Sequence, residues 1–200
     1  MMNIALFGTS ADPPTAGHQR VLNWLSQRFD WVAVWASDNP FKQHQTPLEH
    51  RAAMLRLMIA DIHPLRHNIG YYPDLSSPRA LVTVQHAKKW WPESNLFLVI
   101  GSDLVAQLPR WYRIDELLAQ VQLLVMPRPG YPLNQEAIAR LREMGARIAI
   151  AQVSDLPDVS STAYREVGDS TVLTPPIEDY IHREQLYECQ NGAPKSLPAR

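Results

Sequence analysis

Apolar residues along this chain fall into two alternating kinds of segment. Short, mostly apolar runs of the strand type occur at Ile4-Ala5-Leu6-Phe7, Trp31-Val32-Ala33-Val34-Trp35-Ala36, Leu96-Phe97-Leu98-Val99-Ile100, Val121-Gln122-Leu123-Leu124-Val125-Met126 and Ala146-Arg147-Ile148-Ala149-Ile150. Between them apolar positions recur at helical spacing, first in Arg20-Val21-Leu22-Asn23-Trp24-Leu25. A second helix starts at Pro47, with proline near its first turn, and offers Met54, Leu55, Leu57, Met58 and Ile62 to the core. Tyr71-Tyr72 ends a short strand. Leu75-Ser76-Ser77-Pro78 opens a third helix over about 79–90, stopped by Pro92. Residues 108–113 read as a loop into a short helix at 114–119. Further helices are predicted over 135–144, from Ser160-Ser161-Thr162 onward, and from Pro175 to near Tyr187. Trp24, Trp31 and Trp35 read as core.

Alternating strands and helices predict an α/β fold, a doubly wound parallel sheet with helices on both faces. Such sheets bind ligands beyond the C-terminal ends of their strands. The loops to inspect are therefore 8–18, 37–46, 101–113, 127–131 and 151–165. No repeat or internal linker divides the chain. One domain is expected over residues 1–188, its last part helical from about 160, followed by a Pro/Gly/Lys-rich tail at 189–200 that should fray.

Composition narrows the function. Two hundred residues at 46% hydrophobic suffice for a sizeable core. A net charge of −1 supplies no global field toward nucleic acid or membrane, so neither is an expected partner and any phosphate site must be built locally. No apolar run approaches the roughly 18 residues of a membrane span, and Met1-Met2-Asn3 leads into a strand without a basic leader. A cytoplasmic protein is expected. The single cysteine, Cys189, leaves no intrachain disulfide and cannot alone make a zinc site; no metal-ligating cluster is expected.

Gly8-Thr9-Ser10-Ala11-Asp12-Pro13-Pro14-Thr15-Ala16-Gly17-His18 joins the first strand to the first helix. Strand, Gly/Pro turn and helix together aim free backbone N–H groups and a helix dipole at whatever lies above the sheet, which suits phosphate. Thr15 and His18, three apart, share a helix face, and Gly17 permits close backbone approach. The same strand–turn–helix pattern also occurs without a ligand, and a histidine near a helix start is often structural. Lys42, His44, Asp103, Arg128 and Arg165 fall at other strand ends, with the hydroxyls of Ser160, Ser161 and Thr162. Cations and donors converging on one crevice suit a polyphosphate, and Asp103 suits ribose hydroxyls. Each has a plainer reading: Lys42 solvated, Ser160-Ser161-Thr162 an N-cap, Arg165 a surface ion pair, Trp111 core rather than a stacking platform. No Ser-His-Asp set or cysteine nucleophile stands out, and phosphoryl or nucleotidyl transfer needs neither.

These residues resemble the nicotinate (nicotinamide) mononucleotide adenylyltransferases, within the superfamily marked by a (His/Thr)-x-Gly-His motif. Thr15-Ala16-Gly17-His18 is that motif in its Thr form, and Gly8 through Pro14 is similar to the family's Gly-Gly-Thr-Phe-Asp-Pro-Pro leader. Pro40-Phe41-Lys42-Gln43-His44 with Arg51 and Met54 resembles its lysine loop and following helix. Gly101-Ser102-Asp103, residues 108–111 and Arg128-Pro129-Gly130-Tyr131 resemble its middle motifs. Ser160-Ser161-Thr162-Ala163-Tyr164-Arg165 resembles its Ser-Ser-Thr-x-x-Arg signature, and the ending Tyr180-Ile181 with Leu186-Tyr187 is similar too.

The resemblance implies a Rossmann-like nucleotidyltransferase fold and adenylyl transfer from ATP, taken with Mg²⁺, to a pyridine mononucleotide. On it, His18, Lys42 and Arg165 stabilise phosphate charge as the catalytic set. Gly8, Thr9, Ser10, Thr15, Gly17, His18, Gly101, Asp103, Ser160, Ser161, Thr162 and Arg165 hold ATP, with Asp103 on the ribose. Lys42, Arg79, Trp111 and Arg128 hold the mononucleotide, with Trp111 stacked on its ring. A homo-oligomer is compatible with this and unspecified. The sequence departs from the family pattern at Thr9, Ala11 and Thr15, the last an accepted variant seen in phosphopantetheine adenylyltransferases. Ser77-Pro78-Arg79 stands where the family's Ser-Tyr-Thr segment helps read the nicotinate carboxylate, and Arg79 offers a replacement positive charge. Amide mononucleotide or another phosphate acceptor such as phosphopantetheine, and a non-catalytic nucleotide-binding module, are the alternatives.

Overall fold

The apolar run at residues 4–7 forms the centre of β1 (Asn3–Thr9). Its side chains alternate between two cores: Ile4 and Leu6 join one buried cluster, Ala5 and Phe7 the other. That alternation is the period of a strand covered on both faces. It repeats in β2 (Trp31–Ala36), where Ala33 and Trp35 face the first cluster and Val32, Val34 and Ala36 the second. The computed structural model describes residues 1–38, 45–153, 157 and 159–187. Beyond β1 and β2 the strands are β3 (Ile69–Tyr71), β4 (Asn95–Gly101), β5 (Gln122–Met126) and β6 (Arg147–Ile150).

All five pairings are parallel, in the spatial order β3-β2-β1-β4-β5-β6. This is a doubly wound Rossmann-like sheet, as expected. The order reverses between β1 and β4, so a crevice opens at the C-terminal ends of those strands, beside Thr9 and Gly101. The helices are α1 (Ala16–Ser26), α2 (Leu48–Ala60), α3 (Ala80–Trp90), α4 (Ile114–Leu118), α5 (Gln135–Glu143), α6 (Ser161–Val167) and α7 (Pro175–Arg183). Buried residues of α3, α4 and α5 complete the first cluster, and those of α1, α2 and α7 the second.

Several sequence expectations need correction. Residues 102–110 coil as a 3-10 helix rather than running as a loop, with Ser102, Val105 and Leu108 buried at a spacing of three. The last helix stops at Arg183, short of Tyr187, because Gln185 and Tyr187 have φ of 53° and 66°, outside the helical region. Trp35 is core, but Trp24 and Trp31 are half-buried. Arg28 lies over the Trp24 ring, whose Nε1 donates to the Gln152 carbonyl at 3.0 Å. Leu57 is also half-buried, whereas Met54, Leu55 and Met58 are fully enclosed. Cys189 and the tail lie outside the described residues.

Candidate active site

The loop after β1 is built by its own side chains. Thr9 Oγ1 accepts from the Ala11 N–H at 3.3 Å, and the turn carries Ala11 into the left-handed region at φ 47°. Thr9, a departure from the family leader, thus closes the turn that a second glycine would have left open. Thr15 then caps α1 from extended backbone and is almost wholly buried. Its backbone N–H donates to His18 Nδ1 at 3.1 Å, and its hydroxyl oxygen lies 2.9 Å from the same nitrogen. An N–H group can only donate, so Nδ1 carries a lone pair. The hydrogen-bond network therefore assigns the His18 proton to Nε2. Nε2–H is left to donate outward from the start of α1.

Gly8 and Gly17 both have packing reasons to lack a side chain. A Cβ on Gly8 would stand 2.5 Å from the Trp35 ring, and one on Gly17 would press on Val159 at 3.2 Å. On Gly101 a Cβ would overlap the Asp103 carboxylate.

Two cations hold this loop from beneath and beside. Arg51, on α2, is only 2% exposed. Its Nε donates to the Thr46 carbonyl at 2.8 Å, and one terminal nitrogen donates to the carbonyls of Ser10 at 2.9 Å and Ser37 at 2.8 Å. A buried guanidinium costs several kcal/mol of desolvation, and three charge-assisted bonds offset it while joining the loops after β1 and β2. Arg165, on α6, donates to the Asp12 carbonyl and, at 3.3 Å, to Thr162 Oγ1. Ser161 Oγ donates to the Pro13 carbonyl at 2.7 Å. Ser160 is the N-cap of α6, its Oγ accepting from Ala163 N–H at 3.1 Å. The Ser-Ser-Thr turn thus divides its labour between capping a helix and tethering the loop after β1.

A second group gathers at the ends of β4 and β5. Asp103 Oδ2 accepts from the Arg128 guanidinium at 2.8 Å. Ser102 Oγ donates to the Tyr131 carbonyl at 2.7 Å and accepts from Arg128 N–H at 3.0 Å. Trp111 is half-buried against the first core cluster, so it is both packed and accessible. Arg79, immediately before α3, lies 4.3 Å over the ring of Tyr112, the neighbour of Trp111. The structure thereby joins the departed Ser-Pro-Arg segment to the tryptophan loop. Lys42 and His44 lie outside the described residues. Two residues that hold the loop after β1, Arg51 and Asp12, were quoted in the family segments but given no role. Arg51 was legible: it shares one helix face with Met54, Leu55 and Met58, an arginine on an apolar stripe. Asp12 was quoted in the leader without a role, though it is 4% exposed and accepts from Tyr187 Oη at 2.7 Å.

Helix N-terminus, a buried arginine and donor-rich loops at a sheet's switch point define a nucleotide-handling α/β protein, of the kind that moves nucleotidyl groups. Sequence and structure comparisons agree. The cytidylyltransferase-like family profile matches residues 6–167. A protein of Synechocystis sp. named "Probable nicotinate-nucleotide adenylyltransferase" is 42% identical over 198 residues, covering 93% of this chain and 99% of its own. The nicotinate-nucleotide adenylyltransferase of Bacillus subtilis is 29% identical, covering 94% and 100%. The structure titled Plasmodium falciparum nicotinic acid mononucleotide adenylyltransferase complexed with NaAD superimposes at a TM-score of 0.81 and 19% identity, over 96% of this chain and 99% of that one, and speaks for the shared fold. The chain belongs to the cytidylyltransferase-like family and, within it, to the nicotinate-nucleotide adenylyltransferases.

Proposed function

We infer that this enzyme transfers the adenylyl group of ATP to nicotinate mononucleotide, giving the dinucleotide NaAD and pyrophosphate. The observation that carries the reading is the Thr15–His18 pair at the start of α1, where β1 ends beside the reversal of strand order. A phosphate oxygen of the mononucleotide attacks the α-phosphorus of ATP, an O–P bond forms, and the bond to the departing pyrophosphate breaks. No covalent enzyme intermediate is needed. Among the described residues no group of three or more His, Cys, Asp or Glu could hold a metal ion, and Mg²⁺ is taken here as part of the ATP substrate.

In this reading, α1's N-terminal N–H groups and His18 Nε2–H donate to the phosphates, and charge developing there in the transition state strengthens those bonds. Arg165 anchors the loop through Asp12 and turns its remaining donors to phosphate. Asp103 receives the adenosine ribose, sharing its carboxylate with Arg128. Trp111 stacks on the pyridine ring, and Arg79, set over Tyr112, supplies positive charge for the nicotinate carboxylate. Lys42 joins the catalytic set from outside the described residues. Among the described residues no helix is long and apolar enough to cross a membrane; the reading places the enzyme in the cytoplasm. His18→Ala tests the site. Loss of a donor aimed at transition-state charge should lower kcat by about 10²–10³ while ATP still binds, and near-normal turnover would remove His18 from its role.

A further inference from the structure

The loop after β1 contains a carboxylate that a phosphate site should not want. Asp12 lies three residues before the cap of α1 and is 4% exposed. Around it stand the donors that an ATP phosphate would use: the start of α1 and the Arg165 guanidinium, which already touches the Asp12 carbonyl. Left unsatisfied, a buried carboxylate turns to the nearest donors. It would compete with ATP from inside the protein.

The structure gives that carboxylate another partner, 175 residues away in sequence. Tyr187 Oη donates to Asp12 Oδ1 at 2.7 Å. Backbone and packing both place the tyrosine there. Its backbone adopts φ 66°, a region tyrosine rarely enters. Its ring meets Tyr164 of α6 edge-on at 5.7 Å and packs against the second core cluster. The turn before it is held by Leu186 N–H donating to the Ile181 carbonyl at 3.0 Å. Burial first, and then the adjacent Asp12 carboxylate, raises the pKa of the Tyr187 phenol well above its ordinary value, opposed by a hydrogen bond with the Thr46 side chain. The hydroxyl therefore keeps its proton at any working pH and remains a donor.

We propose that Tyr187 is a positioning residue for the nucleotide site: its hydroxyl occupies the Asp12 carboxylate and so reserves the donors of the loop after β1 for the phosphates of ATP. This rests on the reading of that loop as the ATP phosphate site. Tyr187 touches neither substrate nor reacting atoms in this account. Its effect on ATP passes through Asp12.

The experiment measures KM for ATP, KM for the mononucleotide, kcat and Tm in the full-length wild type, Tyr187→Phe, Asp12→Asn and the double variant. Removing a hydrogen bond to a carboxylate should raise KM for ATP by about tenfold in Tyr187→Phe, leaving KM for the mononucleotide within about twofold. Asp12→Asn in the Tyr187→Phe background replaces the competitor with a neutral amide and should return KM for ATP to within about threefold of wild type. A purely structural role predicts no such rescue. An unchanged KM for ATP in Tyr187→Phe overturns the proposal, as does a rise that Asp12→Asn leaves in place, whatever the Tm. The site reading fails separately: if His18→Ala keeps wild-type turnover and KM for ATP, the loop is not the phosphate site. A defective His18→Ala beside an unaffected Tyr187→Phe overturns the Tyr187 proposal alone.

Discussion

At the scale of single residues, the chemistry depends on donors whose directions are set by their neighbours. Thr15 N–H takes the Nδ1 lone pair and leaves His18 with a proton on Nε2 to donate. In the proposed mechanism positive charge comes from Arg165 and Lys42, while the donors of buried Arg51 go to the carbonyls of Thr46, Ser10 and Ser37. Trp111 and Arg79 divide acceptor recognition in the proposed site. Trp111→Ala should raise KM for the mononucleotide more than KM for ATP, because only one substrate loses its stacking face; equal KM values for wild type and variant would make Trp111 a core residue. Arg79→Ala should reduce the ratio of kcat/KM for the acid over the amide mononucleotide by about tenfold, the loss of one charge-assisted contact. An unchanged ratio would leave the carboxylate to other residues.

At the scale of elements, β1 and its loop are positioned from both sides of the sheet. Trp35 of β2 packs so closely on Gly8 that a methyl group there has no room. Gly8→Ala should therefore destabilise the fold by about 1–3 kcal/mol through overpacking, a fall in Tm of roughly 2–4 °C per kcal/mol for a chain of this size. An unaltered Tm would show that Trp35 swings aside without cost. β1, β2, β4 and β5 were legible because a parallel strand covered on both faces reads as a mostly apolar run, and the run at 146–150 became β6 although that edge strand is largely exposed. The 3-10 helix at 102–110 was not, since its buried residues recur every three and Pro109 argues against a helix. Arg51 was legible in principle from its place on the apolar stripe of α2. The Asp12–Tyr187 bond was not, because partners 175 residues apart leave no periodic signal, and the left-handed backbone that aims Tyr187 has no glycine to mark it.

At the scale of the whole molecule, the C-terminal segment closes on the first loop. Ser161, Arg165 and Tyr187 all bond to Asp12 or Pro13, so the loop after β1 is tethered to the segment 161–187. This has a consequence for stability against pH. Burial raises the pKa of Tyr187, Tyr180 and Tyr72 above the ordinary phenol value of about 10. In each case the unfolded chain loses its proton first. The stabilisation is fully present below about pH 10 and is lost as pH rises through the folded values. Denaturant midpoints should thus hold level up to about pH 9.5 and fall beyond it, with a shallower fall in Tyr187→Phe. Identical alkaline slopes for wild type and variant would contradict the burial of a protonated phenol at that position.

The central claim is the transfer of an adenylyl group to nicotinate mononucleotide at the crevice between β1 and β4. Pyrophosphate release with ATP and Mg²⁺, offered nicotinate mononucleotide and nicotinamide mononucleotide in separate reactions, tests it most directly. The account predicts strong release with the acid and weak release with the amide, with Arg79 reading the carboxylate in place of the family's Ser-Tyr-Thr segment. No release with the acid, from protein that still binds ATP, would contradict it.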